Sequence, residues 1–297
     1  MRVLVTGSAG RIGRNIYFQL MSQFHVEGLD SQPCSTVDHL GDIRDANLLR
    51  VALRGVDIVI HTAALHAPHI GNRTEDEFFD INVYATEAIA NIAVEEGVSH
   101  IIFTSTTALY GSASTPDGKA CWITEKTTPL PKTIYHKSKV EAEHRLEKIS
   151  KTTGLPITVL QISRCFPEPA DIMTIHRLNR GIDARDVASA HVCAIKVRPS
   201  GFNRYIISAD SPFLKNDSEQ LYLQANKVIA KYAPDLVQEF TTRGWCLPTS
   251  LDRVYDSSLA QKELNWFPKY GYQEVCAQLD AGIAEVLPIL NRSVRAR

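Results

Sequence analysis

Along the first half of the chain, short apolar runs alternate with stretches whose apolar residues recur at three- and four-residue steps. Arg2–Thr6 reads as a strand, and residues 12–23 carry Ile12, Ile16, Leu20 and Met21 at helical spacing. Residues 26–29 and 37–40 predict a second and a third strand, Ala46–Leu53 a short helix, and residues 57–61 a buried strand. Residues 75–96 predict one long helix with Phe78, Ile81, Ala85, Ile89 and Ile92 on one face. A strand over 100–104, a helix over 134–150 and a strand over 156–162 continue the alternation. Continuous apolar strands between amphipathic helices mark a parallel sheet covered on both faces, the doubly wound α/β class.

The remainder is less regular. Residues 186–196 read as a helix, 205–208 as a strand and 216–231 as a helix, with Pro212, Pro234 and Pro248 dividing the stretch. This predicts a smaller C-terminal substrate lobe near the carboxyl ends of the strands, where such sheets bind ligands. The boundaries expected are 1–164 for the nucleotide-binding domain, rejoined by 183–210 and 253–265, with 165–182, 211–252 and 266–297 forming the small lobe.

With 297 residues, 44% of them hydrophobic, the chain is long enough for a full core. The net charge of −1 offers no electrostatic footprint for nucleic acid or a membrane surface. No apolar run approaches the roughly 20 residues that span a bilayer, and the opening segment ends at a glycine turn rather than resembling a secretion signal. The six cysteines are scattered without a CxxC pair, which suits reduced thiols and a cytoplasmic setting.

The first predicted strand runs into Gly7-Ser8-Ala9-Gly10-Arg11-Ile12-Gly13 and then a helix. Glycines permit a tight turn and a close backbone approach, and a helix start offers free N–H groups, which together suit a dinucleotide pyrophosphate. Asp30 ends the second strand, where a carboxylate can accept from both ribose hydroxyls of NAD and repel the extra phosphate of NADP; Arg11 or Arg14 leaves NADP open. Tyr135 and Lys139 sit four residues apart on one predicted helix, so they share a face. An ammonium beside the phenol is expected to lower its pKa and make it a general base. The strand-end run Thr104-Ser105-Thr106-Thr107 supplies hydroxyls to hold a substrate oxygen. His61 reads as a core histidine. The cluster of His61, His66, His69 and Asp80 fits no common zinc spacing, so no metal is expected.

In combination these residues resemble the extended short-chain dehydrogenase/reductase superfamily, in its branch of NAD-dependent sugar epimerases, dehydratases and dehydrogenases. The motifs that carry the likeness begin with Gly7-x-x-Gly10-x-x-Gly13, Asp30, Gly41-Asp42-Ile43 and His61-x-Ala63-Ala64. They continue through Asn82-Val83-x-x-Thr86, Ser105-Thr106-x-x-x-Tyr110-Gly111 and Tyr135-x-x-x-Lys139 to Asp186-Val187-Ala188 and Leu264-Asn265-Trp266-x-Pro268. The resemblance implies a Rossmann domain and a catalytic set of Thr106, Tyr135 and Lys139. It implies cofactor contacts from Gly7, Gly10, Arg11, Ile12, Gly13, Asp30, Asp42, Ile43, Ala63, Ala64, Asn82, Tyr135 and Lys139. It also implies a homodimer built on the helices over 75–96 and 134–150.

The departures narrow the chemistry. Thr107-Ala108 stands where family 4,6-dehydratases carry Asp-Glu, and Arg164 where nucleotide-sugar epimerases usually carry Asn. The segment between Pro169 and Asp186 is short, and Cys165-x-Pro167-Glu168-Pro169 resembles uronate dehydrogenases, whose substrate arginine near Gln161 is missing here. His66, His69, Thr107, Arg164 and Arg253 are the candidate substrate contacts. The expectation is hydride transfer between NAD and a carbinol carbon of a sugar, sugar acid or small alcohol. The alternatives are a UDP-sugar 4-epimerase with tightly bound NAD and a catalytically idle NAD-binding protein.

Overall fold

The structure, a computed structural model, describes residues 1–288. Its strands are β1 (Arg2–Thr6), β2 (His25–Asp30), β3 (His39–Leu40), β4 (Ile58–His61), β5 (His100–Thr106), β6 (Cys121–Ile123), β7 (Ile157–Ile162), β8 (Phe202–Ile207) and β9 (Arg253–Tyr255). The first helices are α1 (Arg11–Leu20), α2 (Ala46–Leu53), α3 (Glu75–Phe79), α4 (Ala85–Glu95) and α5 (Ile134–Thr153). They are followed by α6 (Ala170–Asn179), α7 (Ala184–Val197), α8 (Ser218–Leu223), α9 (Ala225–Tyr232), α10 (Pro234–Arg243), α11 (Ser258–Leu264) and α12 (Tyr272–Asp280).

Seven strands form a wholly parallel sheet in the order β3-β2-β1-β4-β5-β7-β8. Alternate strand residues feed two apolar layers, as expected of a sheet covered on both faces. One layer joins Val3, Val5, Ile58 and Ile60 to Ile16 and Leu20 of α1 and Val187 of α7. The other joins Leu4, Val59 and Phe103 to Leu49 of α2, Ile89 of α4 and Leu146 of α5. The strand order reverses between β1 and β4, so the loops after their carboxyl ends diverge and leave a crevice.

A second core joins α6, α8, α9 and α10 with Val254, roofed by the two-stranded parallel sheet β6-β9. Two expected boundaries shift. Residues 253–255 pair with β6 in this small sheet instead of rejoining the large one, while Trp266 lies in the large core, its indole donating to the Asp186 carbonyl. The Asp186 carboxylate accepts from the backbone N–H groups of Lys269 and Tyr270, so two separated motifs are a clasp holding the C-terminal segment. Residues 289–297, assigned to the small lobe, lie outside the described residues. Among the described residues no helix is long and apolar enough to cross a membrane.

Three elements differ from the sequence pattern. The third strand shrinks to His39–Leu40 because Val37 is in a turn, its N–H bonded to the Cys34 carbonyl. The helix over 216–231 breaks at Gln224, where Ala225 N–H turns to the Thr249 carbonyl and the Leu221 carbonyl accepts from Leu251. The long helix over 75–96 contains a π turn at Asp80–Tyr84 that carries Asn82. Such turns cluster near functional sites.

Asn82, implied by the resemblance as a cofactor contact and equally as a support of the central sheet, lies off the cavity. It is 1% exposed, away from the cavity wall, and all its hydrogen-bonding reach is used internally. Oδ1 accepts from Leu65 N–H at 2.7 Å, while Nδ2 donates to the Leu65 carbonyl at 2.9 Å and to Ser138 Oγ at 3.0 Å. Asn82 is thus a clamp that ties the loop after β4 to α5. Asn82→Ala orphans a buried N–H and a buried carbonyl, which should cost about 2–4 kcal/mol of stability in denaturant titration; a loss under about 0.5 kcal/mol would show that the loop is held by other contacts.

Candidate active site

A cavity of about 680 Å³ occupies the crevice at the carboxyl ends of β1, β2, β4, β5 and β7. At one end lies the glycine turn. Gly7 adopts φ +72°, and a side chain there would sit 2.6 Å from Thr62 Oγ1; one on Gly13 would sit 2.0 Å from the Gly7 carbonyl oxygen. Only glycine lets α1 start this close to β1. Gly10 caps α1 without a side chain, so its first-turn N–H groups have no side-chain acceptor. A helix start of this kind suits a phosphate pair, and the cradle fits a dinucleotide.

Gly7, Gly10, Arg11, Ile12, Gly13, Asp30, Asp42, Ile43, Ala63 and Ala64 all line this end. Asp30 Oδ2 accepts from Ala9 N–H at 3.0 Å, which fixes its carboxylate beside the turn. Asp42 is paired with Arg44. The Arg11 guanidinium turns to the Cys165 carbonyl and the Glu285 carboxylate, tying the glycine turn to the C-terminal segment. His61 stays out of the cavity. Burial holds it down to about 3, and Thr6 and Thr86 hold its ring nitrogens at 2.6 and 2.8 Å, so it is a neutral core residue.

Thr106, Tyr135 and Lys139 come together on the same wall. Thr133 caps α5 by accepting from His136 N–H, which starts the helix just before Tyr135. The Thr106 hydroxyl, which accepts from Ala108 N–H at 3.1 Å, lies beside the Tyr135 phenol and pulls its pKa down. Lys139 is 3% exposed; its ammonium donates to the Thr104 carbonyl at 2.8 Å and lies 4.0 Å from the centre of the Phe103 ring.

The expected electrostatics need correction. Burial pushes the Tyr135 phenol up to about 12, only partly offset by the neighbouring Thr106 hydroxyl, and Lys139 does not counter it. Burial also pulls the Lys139 ammonium down to about 7, with Glu143 opposing. In the free protein the phenol is therefore protonated, and the lysine is the group that titrates near neutrality.

The far end of the cavity is cationic. His66, Thr107, Arg164 and Arg253 line it, as do Lys132, His136, Arg180 and Tyr255, which carry no sequence motif that singled them out. Arg180 arrives because a β-bridge pairs Arg164 with Gly181, setting the end of α6 beside the strand-end loop. Arg164 is bound to Glu168 at 2.6 Å, so its charge is matched. Arg180 and Arg253 instead share one oxygen, Oδ2 of Asp252, at 3.1 and 2.7 Å, and Lys132 donates only to the Thr115 hydroxyl. Two guanidinium groups on one carboxylate, with an ammonium nearby, leave excess positive charge. His66, held down to about 4 by burial and by His69 and Lys139, is neutral; His69 stands behind it. Among the described residues no group of three or more His, Cys, Asp or Glu side chains could hold a metal.

A glycine turn and a Tyr-x-x-x-Lys helix facing one cavity define the class: an α/β enzyme that works with a dinucleotide. The family model for the NAD dependent epimerase/dehydratase family matches residues 3–171, more than half of the chain, and the chain belongs to that family. It is 31% identical over 150 residues to the N-acetyl-alpha-D-glucosaminyl-diphospho-ditrans,octacis-undecaprenol 4-epimerase of Escherichia coli O157:H7, covering 49% of this chain and 43% of that protein. The chain spans about a third to a half of the length of the curated relatives it matches. A short-chain dehydrogenase/reductase superfamily protein from Agrobacterium tumefaciens with bound NAD superposes with TM-score 0.73 at 18% identity, covering 99% of this chain and 98% of that one. The UDP-N-acetylglucosamine 4-epimerase of Bacillus cereus gives 0.71 at 21%, covering 95% and 99%. At these identities the likeness is one of fold.

The buried lysine has a measurable consequence. In the unfolded chain Lys139 titrates near 10.5, so between about pH 7 and that value unfolding takes up a proton and rising pH favours the folded form. Lys139→Met should therefore raise the melting temperature of the ligand-free protein at pH 7 and flatten its stability rise toward pH 10. A variant that melts lower, with the same pH slope as the parent, would show that the ammonium is not destabilised by burial.

Proposed function

We propose that this chain transfers a hydride between NAD and a carbinol carbon of a sugar acid or a related small anionic polyol. The observation that carries the reading is one cavity that joins the glycine turn, the Thr106–Tyr135–Lys139 wall and a cationic far end. The glycine turn and the first N–H groups of α1 would hold the pyrophosphate, Asp30 the ribose hydroxyls, and Asp42 with Ile43 the adenine. The Asp30 carboxylate disfavours a 2′-phosphate, so NAD is preferred over NADP. Bound NAD supplies the hydride acceptor and, when oxidised, a positive charge.

The protein's own part is proton handling and orientation. In oxidation the Tyr135 phenol must first give up its own proton to solvent, after which its oxygen accepts the substrate's hydroxyl proton; in reduction the phenol donates that proton back. Burial leaves the phenol protonated at rest, so the free protein holds the proton that reduction needs. The Thr106 hydroxyl, beside that phenol on the cavity wall, holds the substrate oxygen in line. Lys139 keeps a positive charge behind the phenol as it gives up its proton. Arg180 and Arg253, half-matched by Asp252, take the substrate's anionic group.

A second reading, a UDP-sugar 4-epimerase, is supported by the 4-epimerase relative. The same hydride step would run twice without net redox change. Incubation with NAD and separate panels of free sugar acids and UDP-sugars separates the two. NADH absorbance with a sugar acid is expected; an isomerised UDP-sugar without NADH would replace the first reading with the second. Tyr135→Phe should lower turnover by about 10²–10⁴-fold while NAD affinity by calorimetry stays near that of the parent. Turnover unchanged in this variant would remove Tyr135 from the chemistry under either reading.

A further inference from the structure

Helix α5 presents three polar side chains inward at four-residue steps: Tyr135, Lys139 and Glu143. The first two line the cavity, and the third lies behind them with 4% exposure. A carboxylate in such a place is costly unless its oxygens are well supplied with donors. Glu143 has them from three strands. Ser105 Oγ of β5 donates to Oε1 at 2.6 Å, Gln161 Nε2 of β7 donates to both oxygens at 3.0 and 3.1 Å, and Arg204 Nε of β8 donates to Oε2 at 2.8 Å. Gln161 in turn accepts from the buried Tyr110 hydroxyl at 2.8 Å.

The placement of Ser105 gives this cluster its meaning. Three consecutive residues of β5 meet three successive turns of α5. Thr106 lies beside the Tyr135 phenol, Ser105 bonds Glu143, and the Thr104 carbonyl accepts from Lys139. A carboxylate fastened to β5, β7 and β8 at once resists both sliding and rotation of the helix. It is also the anionic side chain that favours the Lys139 ammonium against burial.

We propose that Glu143 is a positioning residue for the Tyr135–Lys139 pair, locking α5 in register on β5 and placing a fixed negative charge one helical turn from Lys139. Glu143 touches neither cofactor nor substrate, so it acts through its neighbours. The groups facing Lys139 are the Tyr135 phenol on its own helix, Phe103 and the Thr104 carbonyl on β5, His61 on β4 and His66 on the loop after it. Both histidines are held neutral, which leaves Glu143 as the compensating charge. Arg204 faces Glu143 and also binds Glu147, so it draws off part of the Glu143 field. Gln161, once its acceptor is committed to Tyr110, offers only its N–H groups to Glu143, which is the pairing a charged carboxylate prefers.

The inference rests on the proposed roles of Tyr135 and Lys139, but its test requires no turnover. Lysine labelled with ¹³C at Cε reports the titration of each ammonium by NMR, and the signal lost in Lys139→Met identifies Lys139. In the full-length protein, Glu143→Gln removes the charge and keeps the shape. The expected result is a Lys139 midpoint at lower pH than in the parent, with proton affinity reduced about tenfold or more. Glu143→Asp, which restores the charge, should return the midpoint most of the way. If Glu143→Gln does not fold, Arg204→Met serves: removing the competing cation should move the midpoint to higher pH. A folded Glu143→Gln variant with the parent's midpoint overturns the proposal, as does an unmoved midpoint in Arg204→Met. Loss of activity in Tyr135→Phe with no shift in Glu143→Gln would overturn this inference and leave the proposed function standing.

Discussion

Two ionisable side chains of opposite sign, Lys139 and Glu143, lie one helical turn apart on the buried face of α5, 3% and 4% exposed. Each takes its partners from the sheet beneath: the lysine a β5 carbonyl and an aromatic face, which only partly offset its burial, and the glutamate donors from β5, β7 and β8. Slipping the helix by one residue would turn both charges away from these partners at a cost of several kcal/mol each. An apolar face alone would tolerate such a slip far better, since hydrophobic contact is non-directional. The position of the Tyr135 phenol against Thr106 follows from this electrostatic registration, which is why polar groups in a core can specify geometry as well as cost stability.

The glycine turn is subject to a steric constraint of the same strictness. Backbone to backbone contact between Gly7 and Gly13 brings α1 against β1, and the strand-order reversal opens the crevice directly above. These are local and topological facts, and both can be read from a linear sequence. Gly7, Gly10 and Gly13 are punctuation marks between a strand and a helix, and the alternation of apolar runs with amphipathic stretches carries the parallel order. Tyr135 and Lys139 are legible for a similar reason: their four-residue spacing survives any uncertainty in where α5 begins.

What was not legible depends on distant parts of the chain. Arg180 reaches the cavity only because Arg164 bridges Gly181, and nothing near position 180 announces a wall of a binding site. Strands β6 and β9 are three residues each and lie far apart in the chain, too short for periodicity to register. The π turn at Asp80–Tyr84 hides within a pattern that remains helical, and its purpose appears only when Asn82 is seen to hold Leu65. The Tyr135 acidity was misjudged because spacing shows that an ammonium is near but not which way it points. Lys139 gives its hydrogen bond to Thr104, and desolvation wins at the phenol.

Charge is segregated along the cavity, and the segregation argues for a direction of binding. Asp30, Asp42 (paired with Arg44) and Arg11 (its charge taken by Glu285) lie at the end by the glycine turn, while Lys132, Arg164, Arg180 and Arg253 lie at the other, with Tyr135 and Lys139 between. A negative end suits hydroxyl-bearing ribose and a neutral base but repels a further anion, whereas the pyrophosphate is received by helix N–H groups rather than by side-chain cations. On the proposed reading, the cationic end is then left for the substrate. Arg164 is matched by Glu168, so selectivity there falls to the two guanidinium groups that share Asp252. An anion entering between them gains two partners while Asp252 keeps both, and a neutral polyol of the same size gains neither. That difference, rather than cavity volume, is the physical ground for placing an anionic sugar derivative at this end.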